Sequence, residues 1–483
     1  MNADRNASFR RKATGLGPRA AAAGGVTGVA ELLKVAVQTL ALAALARVLT
    51  PDDFGVVAMV SAVIGLVALS DLGLPAATVQ RGDLTHDEAS SLFWINVAAG
   101  LAAGVLTVAL APAISWLYGE PRLTAISAAL ASLFILQGFG AQPLAILQRQ
   151  LRFTTVAAIN VSALLAAAVA AVAAALAGAG YWALVVQQVA AAAWTSCAAW
   201  MSAGWRPSSP RNRVRVGHLL AFGGNLTAAR SALFLSRNVS RLIIGIVTGA
   251  AALGGYTNAY NLSLRPLARL GNPFVPVASS VLSRVTSEPE RFRAFYRRGS
   301  LAFNSLSLPI FALLALDAPD VVALVLGGRW MDITPVFRWL ALAAAVQSLF
   351  TSIQWIYLSS GQGREQLRWS MVRAVVTIGA VAVGSRHGVL GAATGVALAS
   401  FLLLPVGIAM VARVSPVHTS DFVAASWRPV AATALAVLAV FGLAHLLAVG
   451  SGPAVRLLLD VAVFAVVYAA TWSALYRGTP YSM

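Results

Sequence analysis

Cysteine is nearly absent. Cys197 is the single one in 483 residues, so no disulfide can form within the chain and a thiol chemistry has no second partner. The five histidines, His86, His218, His387, His418 and His445, stand apart with no HxxxH or HExxH spacing, which excludes the helical zinc motifs. No G-x-x-x-x-G-K-[ST] run is present, so the chain has no P-loop with which to hydrolyse ATP. Acidic residues number 17 against 35 basic ones. Such an excess suggests nucleic acid in a soluble protein, but no stretch between the apolar segments is long enough to fold as a basic soluble module. No metal and no cofactor is expected.

What remains is apolar. Hydrophobic residues make up 59% of the chain, and runs of about twenty recur along it, each enough to cross a bilayer core. Period-two barrel strands are missing, and helices satisfy their own backbone hydrogen bonds in lipid, so the class is an all-α polytopic membrane protein. About fourteen transmembrane helices are expected. They run near 24–46, 54–79, 91–117, 123–145, 155–177 and 181–203, then 219–248, 253–280, 299–326, 335–358, 368–386 and 389–412, and finally 427–448 and 454–475. With the N-terminus inside, one side of this alternation receives the basic tail (Arg5, Arg10, Arg11, Lys12, Arg19) and clusters such as Arg206 to Arg215 and Arg284 to Arg298. The other side receives only Arg47, Arg122, Arg329, Arg386 and Arg456. That bias puts both termini in the cytoplasm. The basic tail is followed by Ala20 to Gly25 with no apolar core between them, so it reads as an orientation anchor and not as a cleaved signal.

The first twelve spans look duplicated at an offset of about two hundred residues. Phe54-Gly55 is echoed by Leu253-Gly254, Ala111-Pro112 by Ala318-Pro319, and Gly180 by Gly388. Six being even, the halves are parallel repeats. The expected organisation is a basic tail over 1–23, a six-helix lobe over 24–205, and a cytoplasmic linker over 206–217 with Pro207 and Pro210. A second six-helix lobe over 218–413 follows, then two additional helices and a tail over 414–483.

Inside spans seven and eight sit five arginines, and each would cost about 2.5–3.5 kcal/mol at the centre of a lipid-facing helix. Arg230, Arg237 and Arg241 step by seven and four along one face; Asn258, Asn261, Arg265, Arg269 and Asn272 repeat the device on the next helix. Two stripes of this kind suit a large, hydrophilic, negatively charged ligand. The competing reading is that the arginines snorkel to headgroups or pair with buried carboxylates. The first span carries Thr27, Glu31, Lys34 and Gln38 on one face. Lys34 and Gln38 join the candidate binding set, and Glu31 is the candidate ion-coupling group; alternatively Glu31 and Lys34 are an i,i+3 ion pair that serves packing. If transport is ion-driven, a proton or a sodium ion is the coupling species. An enzyme, such as a membrane glycosyltransferase using Asp52-Asp53, is set aside because the outer loops are short and Thr-Pro-Asp-Asp is an ordinary helix start. The stretch Glu288 to Arg298 reads as a solvated hairpin with no site.

Several segments together resemble the polysaccharide exporters of the multidrug/oligosaccharidyl-lipid/polysaccharide superfamily, the group with the Wzx-type flippases. They are Leu49-Thr50-Pro51-Asp52-Asp53-Phe54-Gly55, Asp71-Leu72-Gly73-Leu74, Gln80-Arg81, Phe93-Trp94-Ile95-Asn96, Leu147-Gln148-Arg149 with Arg152-Phe153, Gly178 to Leu184, and Gly254-Gly255-Tyr256 with Tyr260. The resemblance implies a MATE-like fold of two six-helix lobes around a central cavity plus two helices. It implies flipping of undecaprenyl-pyrophosphate-linked oligosaccharide across the bacterial inner membrane, with membrane lipids and a polysaccharide polymerase or export machinery as partners. The family defines no invariant catalytic set, so no residue role transfers with it. The alternatives are a drug/cation antiporter of the same superfamily, a flippase for the peptidoglycan lipid precursor, and a non-transporting membrane scaffold.

Overall fold

The computed structural model describes residues 16–67, 75, 78–79, 84–209, 217–447 and 452–476. Of the segments named above, 1–15, 71–74, 80–81, 210–216 and 477–483 lie outside the described residues. The chain divides into two compact units, Met1–Gly254 and Gly255–Met483. Both are helical, with no strand among the described residues. Ten helical stretches among the described residues are long and apolar enough to cross a bilayer.

The first unit holds α1 (Leu16–Val48), α2 (Pro51–Val67), α3 (His86–Tyr118), α4 (Arg122–Leu130), α5 (Ser132–Arg149), α6 (Phe153–Leu176) and α7 (Trp182–Ala203). The sequence explains where helices begin. At α2, the Thr50 amide and hydroxyl donate to Asp53 at 2.9 and 2.7 Å, while Thr50 Oγ1 accepts from the Asp53 amide. At α3, Thr85 and Glu88 form a reciprocal capping box. Asp52-Asp53 is thus a helix start, as its spacing predicts.

Packing in this unit relies on small residues. Ala163, Ala167, Ala171 and Ala175 recur every four residues as the buried edge of α6, which both α7 and α1 pack against. Such a ridge lets helices approach closely where lipid supplies no hydrophobic drive. Helices α3 and α5 cross at Gly100 and Gly138; a Cβ on Gly138 would sit 2.7 Å from the Asn96 carbonyl oxygen, and one on Gly100 would overlap that of Phe134.

The long helix α8 (Gly217–Arg284) is broken at Gly249, where φ is 81°. Its side chains are described from Asn238 onward. The break separates the two spans expected at 219–248 and 253–280, and the boundary between the compact units falls shortly after it. Gly55 and Gly254, paired by the sequence offset, meet physically: a Cβ on Gly254 would overlap the Pro51 carbonyl and crowd the Gly55 nitrogen.

The second unit continues with α9 (Pro289–Leu316), α10 (Ala318–Val325), a 3-10 turn (Gly328–Ile333), α11 (Thr334–Leu349), α12 (Ile353–Ser359), α13 (Gly363–Ser385), α14 (Gly388–Ala412), α15 (Thr419–Leu447) and α16 (Pro453–Tyr476). Gly180 and Gly388 both adopt positive φ, 55° and 80°, just before a helix. The Ala-Pro pair behaves differently in the two halves. Helix α3 runs through Pro112 to Tyr118, whereas α9 ends at Leu316 and Ala318-Pro319 opens a new helix.

One sequence expectation changes here. Residues 289–298 form no separate hairpin but the first turns of α9, continuous with its span. The last two helices, which have no counterpart in the repeat, are packed into the second unit. Helix α15 lies along α9, and Ala436, Val440 and Phe464 bury against Leu313 and Leu316. Tyr468 of α16 donates its hydroxyl to the Ser305 carbonyl at 2.9 Å, and Asn304 donates to Ser426 at 3.1 Å.

Candidate functional site

The polar stripe of α8 is carried by an apolar helix that begins again after Gly249. At 1.5 Å per residue, Asn258 lies roughly 14 Å and Arg265 roughly 24 Å beyond the break. Asn258 is 1% exposed, and neither its amide nitrogen nor its amide oxygen has a hydrogen-bond partner. Thr257 Oγ1 and Asn261 Oδ1 are likewise buried without a partner. Leaving such groups unsatisfied costs about 1–3 kcal/mol each. Arg265 is exposed and Arg269 is half-buried. Tyr256 is buried, with its ring 6.3 Å from that of Tyr260.

In the first unit, Arg241 is half-buried and donates to Asn238 Oδ1 at 3.2 Å, one turn back. The side chains of Arg230 and Arg237 lie outside the described residues. On α1, Lys34 Nζ is 2.7 Å from Glu31 Oε1 and both are partly exposed; the i,i+3 geometry is that of a helix-surface ion pair. Gln38 is half-buried on the same helix.

The first unit also contains a cavity that the arginine pattern gives no hint of. It is a partly open space of about 560 Å³ between α3, α5 and α7, beside Pro75. Its polar lining is Asn96, Gln137, Gln148, Gln188, Thr195 and Ser196, and among the described residues no charged side chain joins them. The glycine crossing of α3 and α5 forms part of its wall through Gly100 and Gly138. Two of the amides fall in segments named above only for their resemblance. In Phe93-Trp94-Ile95-Asn96, Phe93 packs on Trp200 and Trp205, Trp94 donates to the Ser208 carbonyl, and Asn96 lines the cavity. In Leu147-Gln148-Arg149, Leu147 is core, Gln148 lines the cavity, and buried Arg149 donates to the Thr78 carbonyl at 3.1 Å. Isolated amides on apolar helices are the sequence signal that could have found the cavity, but α3, α5 and α7 must be brought together before they converge.

Two charged clusters tie helix ends. In the first unit, Arg122 bridges Asp52 and Glu120, each at 2.8 Å, and lies 5.9 Å above the Tyr181 ring. Hydrogen bonding to Arg122 holds the Glu120 carboxyl below its ordinary pKa. In the second unit, Asp421, 2% exposed, accepts from Arg293 at 2.8 Å, pairs with Arg297 at 3.6 Å and caps the His418 amide at 2.9 Å. Both clusters are structural ties between consecutive or neighbouring helices, and they account for acids and bases that the sequence leaves unassigned.

Comparison with known proteins places this architecture. Residues 44–335, more than half of the chain, match the family described as "Polysaccharide biosynthesis protein". The chain is 24% identical over 387 residues to the lipopolysaccharide biosynthesis protein WzxC of Escherichia coli K12, covering 79% of this chain and 77% of that one. It is 26% identical over 346 residues to the succinoglycan biosynthesis transport protein ExoT of Rhizobium meliloti, covering 71% and 70%. It is also 25% identical to the teichuronic acid biosynthesis protein TuaB of Bacillus subtilis, covering 77% and 78%. Among solved structures the fold matches the lipid II flippase MurJ in an inward closed conformation with a TM-score of 0.73, at 11% identity, over 94% of this chain and 98% of that one. It matches an inward-facing multidrug resistance MATE family transporter of the MOP superfamily with a TM-score of 0.64, at 16% identity, over 78% and 95%. These likenesses bear out the resemblance carried by the short motifs and the expected MATE-like helical class. The chain is a multi-span membrane protein that belongs to the polysaccharide biosynthesis protein family, on the fold shared by MurJ and the MATE transporters.

Proposed function

We propose that this chain is a flippase and not an enzyme. It moves lipid-linked oligosaccharide repeat units across the bacterial cytoplasmic membrane by alternating access, with both termini in the cytoplasm. The observation that carries this reading is the stripe of α8. A fully buried Asn258 with no partner on either amide atom is followed at helical steps by Asn261, Arg265 and Arg269 on an otherwise apolar helix. Planar guanidinium groups grip phosphate oxygens at two points, which suits a pyrophosphate head, and amides suit sugar hydroxyls. The polyprenyl tail stays in lipid while the head crosses. A cationic stripe also disfavours cationic drugs by repulsion.

Deletion of the gene should strand lipid-linked repeat units on the cytoplasmic leaflet, read by extraction and mass analysis together with leaflet-specific labelling. At Arg265 and Arg269, transport should fall in the order native, Lys, Ala. The Ala variants should lose about tenfold or more, consistent with one charge-assisted hydrogen bond of roughly 1.5–3 kcal/mol, while protein abundance in the membrane is unchanged. Full polymer export by the Arg265→Ala, Arg269→Ala double variant would sink the arginine assignment.

A further inference from the structure

We propose that the cavity between α3, α5 and α7 is a binding site for the uncharged part of the saccharide. It would take one or more neutral sugar rings. The inference rests on the flippase reading and extends it to a site in the first unit that the arginine pattern does not reach.

Four observations point to a neutral polyol. The volume, about 560 Å³, falls within the range of pockets that hold small organic ligands. The polar groups are three glutamines, an asparagine and two hydroxyls, with no charge among them. A phosphate-binding cavity would need cations or a helix N-terminus. Amides offer both donors and acceptors from one side chain, which matches sugar hydroxyls that both donate and accept.

The third observation is depth. Asn96 lies ten residues into α3, roughly 15 Å from its start, and Thr195 and Ser196 lie past the middle of α7. Polar side chains at such depth are expensive unless water or a ligand meets them. The fourth is an unspent donor. Asn96 is 3% exposed and its Nδ2 has no hydrogen-bond partner. Ser196, by contrast, donates its hydroxyl to the Leu136 carbonyl. The remainder of the described wall is largely apolar and includes Gly100, Gly138, Leu133 and Leu144. Such an apolar surface suits the carbon faces of a pyranose.

The test is photocrosslinking in producing cells with the full chain. A benzophenone amino acid is placed at Gln137 or Leu144 in the cavity wall, at Tyr260 on α8, or at Val105, which is 69% exposed on α3. After irradiation, the purified protein is digested and its adducts are read by mass spectrometry for the sugar fragment ions of the cell's own lipid-linked pool. The expected result is saccharide adducts at Gln137 and Leu144 and none at Val105. Gln188→Leu with Thr195→Val should lower the Leu144 adduct about tenfold, the effect of losing two hydrogen bonds. Saccharide adducts at Tyr260 with only phospholipid, or nothing, at Gln137 and Leu144 would overturn the cavity assignment and leave the flippase reading standing. Absence of saccharide at all positions in cells that still export polymer would overturn both.

Discussion

At the scale of single residues, polar groups among the described residues fall into three kinds. Some are neutralised locally: Glu31 by Lys34, Arg122 by Asp52 and Glu120, Asp421 by two arginines. Others, Asn258 and Asn96 among them, stay unsatisfied deep in apolar helices. Asp317 is a third case: the span expected at 299–326 ends as a helix at Leu316, and this carboxyl lies just beyond it, in the turn before α10. It is 4% exposed, and its pKa is pushed from 3.8 up to about 7, by burial first and then by Asp460 and Asp320. Arg456, 3.9 Å from Asp320, is the nearby cation. Because the folded pKa is raised, the folded state binds the proton more tightly than the unfolded one between pH 4 and 7. Stability is therefore lost as pH rises through that window. The detergent-solubilised protein should melt at a lower temperature at pH 8 than at pH 5, and Asp317→Asn should flatten the difference. An unaltered pH slope in Asp317→Asn would show that Asp317 is not the group responsible.

At the scale of elements, the C-terminal pair of helices is held to the second unit at several levels. The Asp421 cluster joins the start of α15 to the start of α9, and Asn304–Ser426 and Tyr468–Ser305 follow along the helices. Asp421 also caps α15 by accepting the His418 amide. Asp421→Ala removes the cap and leaves Arg293 with only Glu290, at 3.3 Å, as a carboxylate partner. It should destabilise the fold by about 2 kcal/mol, read as a lower melting temperature, whereas Glu290→Ala, at an exposed pair, should change little. Equal effects of the two substitutions would contradict the burial argument. Sequence could not distinguish these pairs, because Arg293 and Arg297 look like any positive-inside cluster until α15 is laid against α9.

At the scale of the whole molecule, the arginine alternation predicts which loops face which compartment. In a Cys197→Ser background, a cysteine at Gly452 should react with an impermeant thiol reagent added outside intact cells. One at Ser209 should be labelled only after the membrane is opened. Both positions are exposed. The reverse pattern would invert the topology. Gly249 is a poor reporter position, since its φ of 81° disfavours any side chain.

The helical class, the spacing of the spans and the stripe of α8 were all legible from sequence, because each depends on local physics. A twenty-residue apolar run must be helical in lipid, and 3.6 residues per turn puts Asn258, Asn261, Arg265 and Arg269 on one face whatever surrounds them. The capping pairs Thr50–Asp53 and Thr85–Glu88 are equally local. What only the tertiary structure decided are relations between residues far apart in the chain. Gly55 meets Gly254, Arg293 meets Asp421, and the amides of α3, α5 and α7 converge on one cavity. Each depends on which helix faces which, and in a membrane that choice is made by small-residue contacts and polar pairs and not by hydrophobicity, which is nearly the same on every face.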